Sequence, residues 1–176
     1  VGFKLFRVLV SLSFIVLFFA NSVDSFAGSK GSGWKGDEPF PKSPDSQLTP
    51  GTTCQRPNSQ RYAERINYCE RNVDRELKAK VFDNYTRLGF ELLETHDRAE
   101  FKIDHYIPLC MGGSNDEENL WPQHREVYEL TDPLEQESCN KMAQGRLLQK
   151  DAMRLIREAK ADPSSAGRVL LIIKSL

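Results

Sequence analysis

Between Glu100 and His124 the chain is written as a tight hairpin, and this constrains the fold more than any other stretch. Phe101 and Ile103 alternate with Lys102 and Asp104, the two-residue period of a half-buried strand. Gly112-Gly113 and Asn115-Asp116 carry turn chemistry, and Leu120-Trp121 reads as a short returning strand closed by Pro122. Asp104 and His105 stand side by side at the end of the first run. Asn119 and His124 flank the second, so two of the three histidines fall inside the hairpin.

The flanks say where such a unit resides. Lys4 and Arg7 precede an apolar run over residues 8–20, and Ser25-Phe26-Ala27 has the small-x-small pattern of a cleavage site. The expectation is a signal peptide over residues 1–27, with the mature protein secreted or periplasmic and not stably held at a membrane. The apolar run is too short for a permanent transmembrane helix. Residues 28–50 are rich in Gly, Ser, Pro and Lys and read as a flexible tail, with Trp34 and Phe40 as docking points. Residues 51–176 then form one domain, whose ordered core is expected to start near Thr49.

Export makes the even cysteine count meaningful. Cys54, Cys69, Cys110 and Cys139 contain no C-x-x-C pair, and in an oxidising compartment they imply two disulfides with three connectivities open. The pairing taken here is Cys54 with Cys69, closing a short loop, and Cys110 with Cys139, stapling the hairpin to a following helix. Charge points to no polyanion partner. Without Lys4, Arg7 and Asp24 the chain keeps 22 basic and 24 acidic residues, so attraction to nucleic acid has to come from a local patch or a bound cation.

Helical spacing surrounds the hairpin. Asn72 reads as an N-cap for a helix over residues 73–88, with Leu77, Val81, Phe82, Tyr85 and Leu88 on one face and Gly89 at its end. Asp132-Pro133-Leu134-Glu135 carries a helix-start signature, a cap followed by Pro in the first turn and Glu at the third position, for a helix ending near Gly145. Leu148, Ala152, Leu155, Ile156 and Ala159 mark another, stopping before Pro163. The apolar tail over residues 169–173 packs as a strand or a short helix.

The residue types in the hairpin suit phosphodiester hydrolysis. A phosphodiester is attacked in line, so a site must activate water and neutralise charge growing on the phosphate and the leaving oxygen. A carboxylate with one further ligand holds a hard divalent cation, and a neutral imidazole is a suitable general base. Neighbours on a regular strand point to opposite faces, so Asp104 and His105 share a site only where the strand end twists or bulges. Asn119 fixes the loop against the returning strand or holds the imidazole in one tautomer. Asp-His or Gly-Gly alone is common in structural positions; their ordered occurrence with Asn119 and His124 at hairpin spacing is what carries weight.

Asp-His-x-Ile-Pro-Leu-x-x-Gly-Gly-Ser-x-x-x-x-Asn-Leu-Trp-Pro resembles the core of the HNH endonuclease family, over residues 103–124. The resemblance implies an α+β fold in which a ββα-metal (HNH) finger is embedded in a mainly helical, disulfide-stapled domain. It implies that Asp104 is the metal-binding carboxylate, His105 the general base and Asn119 the middle Asn. The family's last ligand falls nine residues after that Asn, at Tyr128, which is a poor ligand for a hard cation. His124 is the expected substitute, and Glu135 a second candidate. The implied cofactor is a divalent metal, Mg²⁺ by default, with Mn²⁺, Ca²⁺ and Zn²⁺ as alternatives. The implied partner is nucleic acid, DNA first and RNA as an alternative. The expectation is an exported, metal-dependent endonuclease of low sequence specificity. A rival is a non-catalytic exported binding module, in which these histidines and free Cys110 and Cys139 hold a structural Zn²⁺. A toxin-like effector with an inhibitor protein as partner is a third reading.

Overall fold

The computed structural model describes residues 1–2 and 38–176. All but the first two residues of the expected signal peptide, and the first part of the tail, lie outside the described residues. Among the described residues the protein is mixed α/β, with four α-helices and two two-stranded antiparallel sheets. None of those helices is long and apolar enough to cross a membrane.

A small ribbon of β1 (Ser59–Arg61) and β2 (Ile66–Tyr68) precedes helix α1 (Arg75–Arg87). The central hairpin pairs β3 (Phe101–His105) with β4 (Leu120–His124) in the register Phe101↔His124 to His105↔Leu120. Helices α2 (Arg125–Ala143), α3 (Gln149–Ala161) and α4 (Ala166–Ser175) follow. Two apolar clusters hold these pieces together. Val81, Phe82 and Tyr85 of α1 pack with Phe40, Phe101, Ile103, Leu120 and Trp121. Leu134, Met142, Leu155, Ile156, Val169 and Ile173 of the last three helices close over Ile107 and Met111 from the hairpin loop.

A two-stranded sheet leaves half its backbone groups unpaired, and here side chains take them. The outward carbonyls of β3 accept from Arg98 (Phe101 O, 2.8 Å), Arg71 (Ile103 O, 2.9 Å) and Lys160 (His105 O, 2.5 Å). On β4, Leu120 O accepts from Thr49 Oγ1 at 3.0 Å. Because Ile103 O points away from β4, the Ile103–Pro122 pair exchanges no ladder bonds, and the N–H that Pro122 lacks is not missed. Pro122 therefore does not close the second strand, which runs on to His124.

Three further expectations are corrected. Residues 38–50 are not all tail: Phe40 is 3% exposed, and Asp45 and Thr49 are buried against Tyr85, whose hydroxyl accepts from Asp45 N. Asp74, not Asn72, caps α1 by accepting from Leu77 N, while Asn72 N–H donates to Asn115. Helix α2 begins at Arg125, seven residues before Asp132, and carries Pro133 in its interior. An internal proline costs about 3 kcal/mol. Carrying the helix through it buries Val127, Leu134 and Met142, each stabilising by roughly 1.5–3 kcal/mol, and packing wins. The apolar tail is the helical of its two expected forms, α4.

The cysteines pair as expected, Cys54 with Cys69 and Cys110 with Cys139, and none of them is free. Two disulfides fit an oxidising, non-cytoplasmic environment. The second bridge spans 29 residues and ties the hairpin loop to α2. Replacing Cys110 and Cys139 together by serine is expected to cost about 2–4 kcal/mol, read as a lower denaturant midpoint; an unchanged midpoint would remove the staple from this account.

Candidate active site

Asp104 lies at the end of β3 and turns toward α2 and α3. Its Oδ2 accepts from Lys160 Nζ at 2.9 Å, and its Oδ1 is 3.7 Å from Lys102 Nζ. Lys160, on α3, is fully buried, and its ammonium also contacts His105 O and Glu135 Oε1, each at 2.5 Å. A buried ammonium survives only among such partners. Burial pushes the Asp104 carboxyl upward, but Lys160 and then Lys102 outweigh it and hold the group down at about 2. Burial would lower Lys160, and the two carboxylates overcome that and raise it. Glu135 is left as the group that yields: burial first, then the Asp104 charge, push it up to about 7.

His105 is 3% exposed and held from both ring nitrogens. Asn115 sets the tautomer. Its Nδ2 donates to Glu70 O at 2.7 Å and its Oδ1 accepts from Asn72 N at 3.1 Å, so the oxygen is the atom facing His105 Nε2 at 3.1 Å. Nε2 therefore carries the proton, and Nδ1 keeps the lone pair, facing Arg71 Nη1 at 3.2 Å. Burial is the main cause that lowers the imidazole to about 4, so the ring is neutral at pH 7.

Asp104 and His105 line one cleft of about 400 Å³ at the strand end, together with Arg71, Lys102, Asp132 and Glu135. Pairing with β4 runs unbroken through both residues, and just beyond the strand Asn119 clamps the loop. Its Oδ1 accepts from Ile107 N (2.9 Å), and its Nδ2 donates to Ile107 O (3.0 Å) and Ser114 O (2.9 Å). Of the two roles expected for Asn119, it takes the loop-fixing one; the tautomer belongs to Asn115. Gly113 sits under this clamp, where an added Cβ would meet Ile107 O at 1.8 Å.

The other expected ligand is elsewhere. In the ladder Asp104 faces Trp121, whereas His124 faces Phe101, three pairs away, and the His124 ring stacks on Phe40 on the side of the hairpin away from Lys160. Asp104 and His124 are not brought together. Strand alternation sends them to opposite faces, and each falls in a different group of potential ligands. Glu135, the second candidate, does join Asp104, and Asp132 completes the group: oxygens of the three carboxylates lie within 4.8 Å of one another. Sequence reasoning missed Asp132, which it used as a helix cap, and Arg71, which it did not single out. It also missed Asn115, read only as turn chemistry, and Lys160, for which no local signal exists.

The donor set fits a hard divalent cation, being all oxygen and open to a polar cleft. Two lysines already neutralise it in part. Lys160 is locked in the interior, whereas Lys102, bonded to Asp132 at 2.5 Å, is a third exposed and free to withdraw.

No family model, curated protein or solved structure matches this chain.

Replacing Lys160 by Met strands two buried carboxylates, with an expected loss of about 3–5 kcal/mol at pH 7.5. Those carboxylates can then take up protons in the folded state, so the deficit should shrink as pH falls to 5. Urea melts of both proteins at the two pH values test this; a deficit below about 1 kcal/mol would mean the ammonium is not the site's counter-charge.

Proposed function

We propose that the cleft hydrolyses phosphodiesters of nucleic acid, as an HNH-like ββα-metal endonuclease exported from the cell. The observation that carries this reading is the state of His105: a neutral imidazole with its proton locked on Nε2 by Asn115 and its Nδ1 lone pair held by Arg71, a residue that lines the same carboxylate-walled cleft. The succession of hairpin and helix, β3-β4-α2, also supports it.

Each residue then has a task. Arg71 now shares its guanidinium between His105 Nδ1 and Ile103 O, and a phosphate oxygen entering the cleft is a stronger partner for it. Its move toward the phosphate frees Nδ1 for a water molecule. His105 removes a proton from that water as its oxygen attacks phosphorus in line; the bond to the 3′-oxygen breaks, and that oxygen takes a proton from solvent. The products carry a 5′-phosphate and a 3′-hydroxyl. Asp104, Asp132 and Glu135 are the residues that would hold a divalent cation, Mg²⁺ by default, whose chemistry is to neutralise charge on the phosphate and the leaving oxygen. Asn119 keeps the loop, and so the imidazole, in register. Water attack needs no 2′-hydroxyl, so the site suits DNA and equally RNA.

The rival zinc-stapled binding module loses its sulfur donors, because Cys110 and Cys139 are joined to each other. The supporting experiment is cleavage of supercoiled plasmid by the purified protein, with Mg²⁺ and with EDTA. Metal-dependent nicking that drops about 10²–10⁴-fold in His105→Ala is the expected result. A folded, metal-loaded protein that cuts neither DNA nor RNA would return the binding module to first place.

Acidity should act at two separate points. Glu135 must shed its proton to bind a cation, so the Mg²⁺ requirement should ease as pH rises from 6 to 8, and Glu135→Gln should abolish that dependence. A base works unprotonated, so at saturating Mg²⁺ the His105 step should lose rate only as pH nears 4. Rates measured across pH at low and high Mg²⁺ separate the two.

A further inference from the structure

On the opposite side of the hairpin lies a second group of potential ligands. His124 ends β4 and caps α2, its Nδ1 accepting from Glu126 N over a long 3.3 Å. Its Nε2 is buried, has no hydrogen-bond partner, and lies 3.9 Å from Glu100 Oε2. An orphaned ring nitrogen on a side chain only 5% exposed calls for an explanation. Phe40 stacks on the ring at 3.8 Å between centroids and holds its plane. The ring of His96 stands 5.0 Å away, nearly perpendicular, with Nδ1 engaged by Thr95 Oγ1 at 2.8 Å and Nε2 left over. One ligand atom from each of His96, Glu100 and His124 lies within 4.8 Å of the others.

Two imidazoles and a carboxylate are the donors of a zinc centre with one open position, and they suit Mg²⁺ poorly. Two ligands about 2.0–2.1 Å from one Zn²⁺ in a tetrahedron stand about 3.4 Å apart, so the 3.9 Å gap needs only a small side-chain adjustment.

We propose that His96, Glu100 and His124 bind one Zn²⁺ ion at a site separate from the carboxylate cleft. This does not depend on the nuclease reading. Binding through Nε2 requires the His124 proton to sit on Nδ1, so the ion is exchanged for the long cap bond to Glu126 N. Glu100 Oε2 also gives up its 3.3 Å contact with Asp97 N–H, or shares it. The ion would join the segment leading into β3 to the first turn of α2, with the Phe40 segment stacked on top.

The test is calorimetric titration of tag-free, EDTA-stripped protein with ZnCl₂, repeated on His96→Gln, Glu100→Gln and Asp132→Asn, the last a change in the carboxylate cleft. His96, Glu100 and Asp132 are partly or largely exposed, so their variants keep the fold where a change at buried His124 or Asp104 would not be safe. Expected are one Zn²⁺ per chain and affinity weakened by roughly tenfold or more in His96→Gln and Glu100→Gln. Asp132→Asn should bind as the parent does. Nitrogen NMR of the imidazoles should show the His124 proton moving from Nε2 to Nδ1 on Zn²⁺ addition. The proposal is overturned by absence of Zn²⁺ binding, by affinity that survives both His96→Gln and Glu100→Gln, or by loss confined to Asp132→Asn.

Discussion

The buried Lys160 ammonium is the constraint around which the site is arranged. It reaches from α3 to a carboxylate on β3, a carboxylate on α2 and a backbone carbonyl at the strand end. Three elements far apart in sequence must close on one cation before any of its partners can be buried without great cost. The apolar faces of α2, α3 and α4 supply the driving force for that closure. Charge is then divided unequally: Asp104 stays ionised, and Glu135 titrates near neutrality. The same helical packing that stabilises the domain thus sets the electrostatics of the cleft.

Among the described residues the hairpin has no third strand, and two of the residues that complete its edges also hold the groups of the cleft. Arg71 satisfies Ile103 O and faces the His105 lone pair; Lys160 satisfies His105 O and pairs with Asp104. Asn119 closes the loop with three bonds to two backbone segments, which a side chain without both donor and acceptor could not do. Structural completion and chemical function are not separable here, and substitution of any of these residues would disturb both.

Much of this was legible locally. Alternating apolar residues, a Gly-Gly turn and an even cysteine count are readable in the sequence, and the hairpin, the number of disulfides and the positions of Asp104, His105 and Asn119 follow from them. The cysteine pairing, by contrast, was one choice among three. The boundary of α2 was not legible, because Asp132-Pro133 is a sound start signal in isolation and only the buried face from Val127 to Met142 overrides it. Phe40 as a docking point and Thr49 as the start of the core were legible, but the surfaces of α1 and β4 that they bury against were not.

The sequence by itself determined the chemistry on offer: one Asp-His pair at a strand end, an Asn to clamp the turn, and four cysteines for two bridges. Which groups meet was decided only in three dimensions. Strand alternation carried His124 away from Asp104 to Phe40, His96 and Glu100, while helix packing brought Asp132, Glu135 and Lys160 into its place. The reason is range: periodicity and turn propensity act over a few residues, whereas a buried charge chooses its partners across the whole fold, by the free energy of leaving water.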